Sequence, residues 1–70
     1  MGMKDSFEER LKELRTENNI GQVELALSLG VSKGIISMWE NGLREPKLSN
    51  LILIAEYFGV SIDYPAGLVD

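Results

Sequence analysis

The sequence contains no cysteine and no histidine among its 70 residues. Without these residue types a disulfide framework, a thiolate metal site and a structural zinc site are excluded. The lack of histidine also removes a Ser-His-Asp triad and any histidine acid–base pair. The carboxylates show no paired, nucleophilic or metal-binding arrangement. We therefore expect that the protein is not an enzyme and that it binds no metal and no cofactor.

Long apolar runs are absent as well. No run approaches the roughly 20 apolar residues of a membrane span, and no charged-then-apolar leader begins the chain. These absences predict a cytoplasmic protein with no membrane partner. The length fits one small domain, which we place at residues 6–68. Residues 1–5 are expected to be a disordered segment, in which Met1-Gly2 resembles a remnant of a tag.

What the chain does contain is a series of short helical segments. Ser6 and Glu9 have the spacing of a capping box, so a first helix should begin at Phe7. Asn18-Asn19 should end it. Apolar residues recur inside this segment at helical spacing, which gives the helix one inward face.

Glycine and serine set the limits of the next two helices. Gly21 can cap a second helix, and Gly30 should stop it at the residue past its end. Ser32 is a natural N-cap for a third helix over residues 33–40. The link between the two helices is therefore very short.

A fourth helix is predicted over residues 48–58, with Gly59 as its stop. Ser61 could cap a fifth, but Pro65 removes a hydrogen bond in its first turn, so we expect one irregular turn at best. No alternating β-branched run indicates a strand. The predicted fold class is all-α, a compact bundle of four to five short helices.

The link between the second and third helices is the informative feature. Gly30 can supply a turn with positive φ, which holds two short helices at a steep angle. Ala26, Val31 and Ile36 would then meet at the elbow. This arrangement is a helix-turn-helix, which projects the start of its second helix outward, where it can enter a DNA major groove.

Several separated motifs resemble the Cro/C1-type helix-turn-helix regulators, which include the lambdoid phage repressors. The resemblance covers residues 6 to about 68. Its motifs are RLKELR (10–15), Q-x-E-L-A (22–26), LGVS (29–32), I-S-x-W-E-N-G (36–42), EP (45–46) and NLILIAEYFGVSIDY (50–64).

The resemblance implies a five-helix domain that binds double-stranded operator DNA as a homodimer, with a recognition helix at about 33–40. Gln22 resembles the phosphate-contacting glutamine of the family, and Asn41 its backbone-contacting asparagine. Arg15 and Glu40 match the buried ion pair of the family.

The base-reading positions depart from the usual polar pattern. Lys33 could donate to guanine, and Ile35 could pack on a thymine methyl group. Ser37 could form a hydrogen bond with either a donor or an acceptor on a base edge. Gly34 offers no side chain and Met38 makes no bidentate contact. The predicted base contacts are Lys33, Gly34, Ile35, Ser37 and Met38.

Charge favours the same region. The net charge is −4, which is unusual for a DNA-binding domain, but residues 31–50 carry three basic and two acidic groups. Lys47 also stands where the family usually has a Ser or Thr that caps the fourth helix. The lysine therefore loses about 1 kcal/mol of capping stabilisation. The residues predicted to contact the DNA backbone are Gln22, Ser32, Asn41, Arg44 and Lys47.

Apolar residues at outward positions suggest interfaces. We expect the dimer contact to include Leu53, Tyr57, Val60 and Leu68, with Val23 and Leu27 on a second apolar face. The leading interpretation is a sequence-specific transcriptional repressor. The alternative is a helix-turn-helix module that binds a protein partner, such as an antitoxin or a regulatory partner, with weak DNA binding.

Overall fold

A computed structural model describes residues 6–63 and 65 of the chain. These residues form four α-helices and no strand: α1 (Phe7–Glu17), α2 (Gln22–Leu29), α3 (Lys33–Glu40) and α4 (Leu48–Phe58). The all-α class is confirmed, and the helices begin and end where the caps predicted. Residues 1–5, 64 and 66–70, including the predicted disordered segment and Leu68, lie outside the described residues.

The predicted caps explain the helix boundaries. The Ser6 hydroxyl accepts the Glu9 N–H at 3.4 Å, and the Ser32 hydroxyl accepts the Ile35 N–H at 3.2 Å. Each bond satisfies one of the N–H groups that the first turn of a helix leaves unpaired. Gly30 ends α2 at φ 73°, in the left-handed region that favours glycine.

The start of α4 is better capped than Lys47 alone predicts. A lysine side chain has no acceptor, so it cannot cap a helix N–H. Asn50 compensates in part, because its Oδ1 accepts the Lys47 N–H at 3.3 Å. This is the return half of a capping box, made by the residue three positions into the helix.

One apolar core joins all four helices. Leu11, Leu25, Ile36 and Ile54 are completely buried, and Trp39 is 2% exposed. The Phe7 and Trp39 rings meet edge to face with centroids 6.1 Å apart. The remaining members of the buried core are Leu14, Ala26, Leu29 and Ala55. Phe7, Val31 and Phe58 pack partly buried against it.

The chain turns directly after α4. Gly59 has φ 70°, and the Val60 N–H donates to the Ala55 carbonyl at 3.0 Å, which closes the helix end. Residues 62–63 form a turn, and Pro65 is buried. In the described part of the chain no fifth helix follows α4. None of the described helices is long and apolar enough to cross a membrane.

Two glycines in the helix-turn-helix should respond oppositely to substitution. Gly30→Ala forces an alanine into positive φ, so we expect the free energy of unfolding to fall by about 1 kcal/mol. Gly34 has ordinary helical angles, and an added Cβ would meet only Ser32 Oγ at 3.8 Å. Gly34→Ala should therefore raise the free energy of unfolding by about 0.5–1 kcal/mol. Urea denaturation followed by Trp39 fluorescence measures both, and changes of equal sign contradict this account.

Candidate nucleic-acid interface

The first turn of α3 faces outward. Ile36, Trp39 and Glu40 bury the inner side of α3, whereas Lys33 and Gly34 are exposed. Ser37 and Met38 are partly buried on the flank of the same helix. The N–H groups and the positive end of the helix dipole also lie at this first turn, where they favour anions. The exposed part of α3 is thus its N-terminal end.

The elbow before α3 is fixed by backbone hydrogen bonds. The Val31 N–H donates to the Ala26 carbonyl at 3.0 Å, directly after the left-handed turn at Gly30. Ala26 is 3% exposed and belongs to the core, so α2 has little freedom to change its angle to α3. The start of α3 is therefore presented by a packed scaffold rather than by a loop.

Ile35 is less accessible than its sequence position suggests. Its side chain is partly buried and packs against the core. The rest of it lines a surface groove together with Val31, Arg44 and Lys47. Only part of Ile35 is therefore available for a base contact, and the same groove brings two basic side chains next to α3.

Arg15 and Glu40 form an ion pair that is mostly buried. Arg15 Nε donates to Glu40 Oε2 at 2.6 Å and Nη2 donates to Oε1 at 3.0 Å. The exposed fraction is 15% for the arginine side chain and 2% for the glutamate side chain. The hydrogen bond that Arg15 donates to Glu40 raises the pKa of Arg15 above its ordinary value. The pair ties α1 to the end of α3.

Gln22 belongs to the same cluster, a connection that the sequence analysis did not predict. Its Nε2 donates to Glu40 Oε1 at 3.0 Å. Arg15 Nη1 also donates to the Ile20 carbonyl at 3.0 Å. We refer to Arg15, Gln22 and Glu40 as the carboxylate cluster. It holds the start of α2, where the predicted phosphate contact lies, against the end of α3.

Asn41 follows α3 and folds back onto it. Its Nδ2 donates to the Ser37 carbonyl at 2.9 Å and to Ser37 Oγ at 3.4 Å. A contact between the Asn41 side chain and a phosphate would therefore require the side chain to rotate. The Ser37 hydroxyl accepts in this arrangement and keeps its own proton as a donor.

The charges around α3 are mixed. Lys33, Arg44 and Lys47 are exposed, but Glu45 lines the same groove as the last two. A side chain on Gly42 would meet the Glu8 carboxylate at 3.0 Å, which places this acid against the loop after α3. No group of three or more acidic side chains among the described residues could hold a metal ion.

The predicted dimer residues fall into two kinds. Leu53 and Tyr57 on α4 are 42% and 40% exposed, whereas Val60 packs partly buried against the core. Val23 and Leu27 on α2 are 55% and 78% exposed. Three further apolar side chains are exposed, Leu43, Leu48 and Ile52, and Arg10 is buried, none of which the sequence predicted.

The geometry is that of a helix-turn-helix domain. The helix-turn-helix family matches residues 11–64, and the chain belongs to it. The HTH-type transcriptional activator BcrR of Enterococcus faecalis is 44% identical over 57 residues, 81% of this chain and 28% of that protein. The cryptic phage CTXphi transcriptional repressor RstR of Vibrio cholerae is 34% identical over 56 residues, 80% of this chain and 50% of that protein.

An uncharacterized HTH-type transcriptional regulator of Methanocaldococcus jannaschii, MJ0272, is 41% identical over 54 residues, 77% of this chain and 82% of that protein. The chain spans about a quarter of the length of BcrR and half of the length of RstR. No solved structure matches it. The named relatives are described as transcriptional regulators.

Substitution of Arg15 should show how much the stability of the domain depends on the carboxylate cluster. Arg15→Met leaves Glu40 buried with one remaining donor, so we expect the free energy of unfolding to fall by about 3 kcal/mol. Lys12→Met changes an exposed cation on the same helix and should cost less than about 0.5 kcal/mol. Urea denaturation followed by Trp39 fluorescence compares the two. Equal small losses would show that the Arg15 pair contributes no more than an exposed charge.

Proposed function

We propose that this chain is a sequence-specific regulator that binds double-stranded DNA as a homodimer, with α3 in the major groove. The observation that carries the proposal is the exposed start of α3, which follows an elbow packed on the buried residues Ala26 and Ile36. The major groove of B-DNA is about 12 Å wide and admits one α-helix. Lys33 is then placed to read a base edge, with Ser37 and Met38 beside it and the Gly34 backbone close to the duplex.

Phosphate contacts in this proposal flank the recognition helix. Gln22 and Ser32 lie at the starts of α2 and α3, where helix N-termini favour anions. Asn41, Arg44 and Lys47 follow α3 in the next loop. Only two of these five residues carry a positive charge, so the salt dependence of binding should be shallow, with a slope near −2 for each protomer bound.

A homodimer fits the dimensions of the domain. Recognition helices of a dimer must lie about 34–36 Å apart to enter successive major grooves on one side of the duplex. The domain measures 31 × 24 × 24 Å, so two copies in contact can present helices at that spacing from their outer halves. Leu53 and Tyr57 are the exposed apolar side chains that we place at the contact. Val60 and Leu68 remain predicted members of the same contact.

Repression is the regulatory outcome that we propose. A protein that covers a promoter site excludes other proteins by its volume alone, whereas activation requires an additional favourable contact. The named relatives include both an activator and a repressor, so relatedness supports either outcome. These relatives are bacterial and archaeal regulators, and DNA binding would place the work of this chain in the cytoplasm.

A second candidate function is a protein-interaction module. The exposed side chains of Leu27 and Leu43, at 78% and 75%, favour it, because they belong to no core contact and could cover an apolar partner surface. Fluorescence anisotropy with random duplex DNA separates the two functions. Affinity that falls with salt supports the regulator, and an absence of binding at about 50 mM salt supports the module.

Lys33 and Lys47 should affect DNA binding differently. Lys33→Ala removes a base contact, so specific affinity should fall by about tenfold and specificity should relax. Lys47→Ala removes a phosphate contact, so affinity should fall equally on all sequences and the salt slope should decrease by about 1. Anisotropy titrations on a selected and a random duplex measure both effects, with Lys12→Ala on α1 as the control. An equal loss on both duplexes for Lys33→Ala would make Lys33 a phosphate contact.

Charge at the α4 face should break the proposed dimer. Leu53→Glu places two like charges in an apolar contact, so sedimentation should show a monomer at concentrations where the wild type is dimeric. The monomer should also lose affinity for a palindromic duplex but keep most of its affinity for a half-site. Leu27→Glu on the other apolar face is the matched control. A wild-type monomer at millimolar concentration contradicts the homodimer.

A further inference from the structure

We propose that Glu40 is a positioning residue for DNA binding, because it fixes the orientation of the Gln22 side-chain amide toward the phosphate backbone. The inference rests on the phosphate contact proposed above for Gln22. It assigns to a buried acid, which cannot itself touch DNA, a role in how DNA is held.

Glu40 occupies a place that is unfavourable for an acid. It is the last residue of α3, where the negative end of the helix dipole lies, and its side chain is 2% exposed. Glutamates are almost never buried unless they are paired. Glu40 accepts three hydrogen bonds, two from Arg15 and one from Gln22. These three donors allow a charged side chain to lie buried at this position.

The charge determines which end of the Gln22 amide faces inward. An ionised carboxylate only accepts hydrogen bonds, so the donating Nε2 must point at Glu40 Oε1, 3.0 Å away. The reversed amide would bring its carbonyl oxygen against the carboxylate, which is repulsive. One N–H of Nε2 is used by Glu40 and the second remains for another acceptor. Phosphate oxygens are acceptors only, so this second N–H is the group that a phosphate requires.

Arg15 holds Gln22 in position as well as Glu40, the residue to which Gln22 donates. The same guanidinium that binds Glu40 donates from Nη1 to the carbonyl of Ile20, two residues before Gln22. The backbone before α2 and the first side chain of α2 are therefore held by one connected set of hydrogen bonds. Preorganisation of this kind removes part of the ordering cost of binding.

A double-mutant cycle tests the role of Glu40. Duplex affinity is measured by anisotropy for the wild type, Glu40→Gln, Gln22→Ala and the double variant, at a temperature where all are folded. Glu40→Gln should weaken binding about fivefold in the wild-type background, the effect of one net hydrogen bond. In the Gln22→Ala background it should change affinity less than twofold. The change of charge at position 40 is common to both arms and cancels.

The controls separate this role from a loss of stability. Ile54→Val shortens a completely buried side chain in α4 and should lower stability without changing affinity. Equal losses for Glu40→Gln in both backgrounds would overturn the positioning role and leave the proposed function intact. Failure of the wild type to bind any duplex at about 50 mM salt would overturn the proposed function together with this inference.

NMR of the wild-type protein gives a second test that does not depend on the folding of a Glu40 variant. The two side-chain amide protons of Gln22 should have distinct shifts, and the one bonded to Glu40 should exchange slowly with solvent. On addition of duplex DNA, the other proton should shift while the bonded one keeps its shift. Loss of the Glu40-bonded signal on DNA binding would show that Gln22 leaves Glu40, and the inference fails.

Discussion

The buried carboxylate of Glu40 imposes a constraint that the rest of the helix-turn-helix satisfies. A charge with 2% of its side chain exposed needs donors, and these come from α1 and from the start of α2. Its acceptor atoms therefore set where three helices meet. The apolar core could tolerate small shifts of these helices, because burial has no direction. The hydrogen bonds to Glu40 have direction, and they remove that freedom.

The elbow at Gly30 is the second constraint on how α2 and α3 pack. It sets the angle between α2 and α3 at the end that is far in sequence from the Gln22–Glu40 bond. Two fixed points, one at each end of the pair, make the two helices a rigid unit. The exposed turn of α3 then has a defined position relative to the start of α2. Recognition of a duplex requires this, since groove and phosphates are at fixed separations.

Most of the fold could be predicted from the sequence, because local signals set it. Ser6, Ser32, Gly30 and Gly59 mark helix ends by their own conformational preferences, and the structure places the boundaries at these residues. Properties that depend on packing could not be predicted. The Gln22–Glu40 bond joins residues 18 positions apart, and the partial burial of Ile35 depends on the core behind it. Neither has a signal in local spacing.

The proposed function offers few side chains at α3 for reading bases, which makes the symmetry of a dimer important. A good bidentate base contact discriminates by about 1–3 kcal/mol, and Lys33 is the main side chain at the exposed turn that could make one. Specific binding usually exceeds non-specific binding by about 4–10 kcal/mol. One protomer falls short of that range, whereas two protomers on a palindromic site can reach its lower part. A dimer contact that holds both recognition helices at one spacing would then supply the remaining selectivity, because a site with the wrong spacing loses half of the contacts.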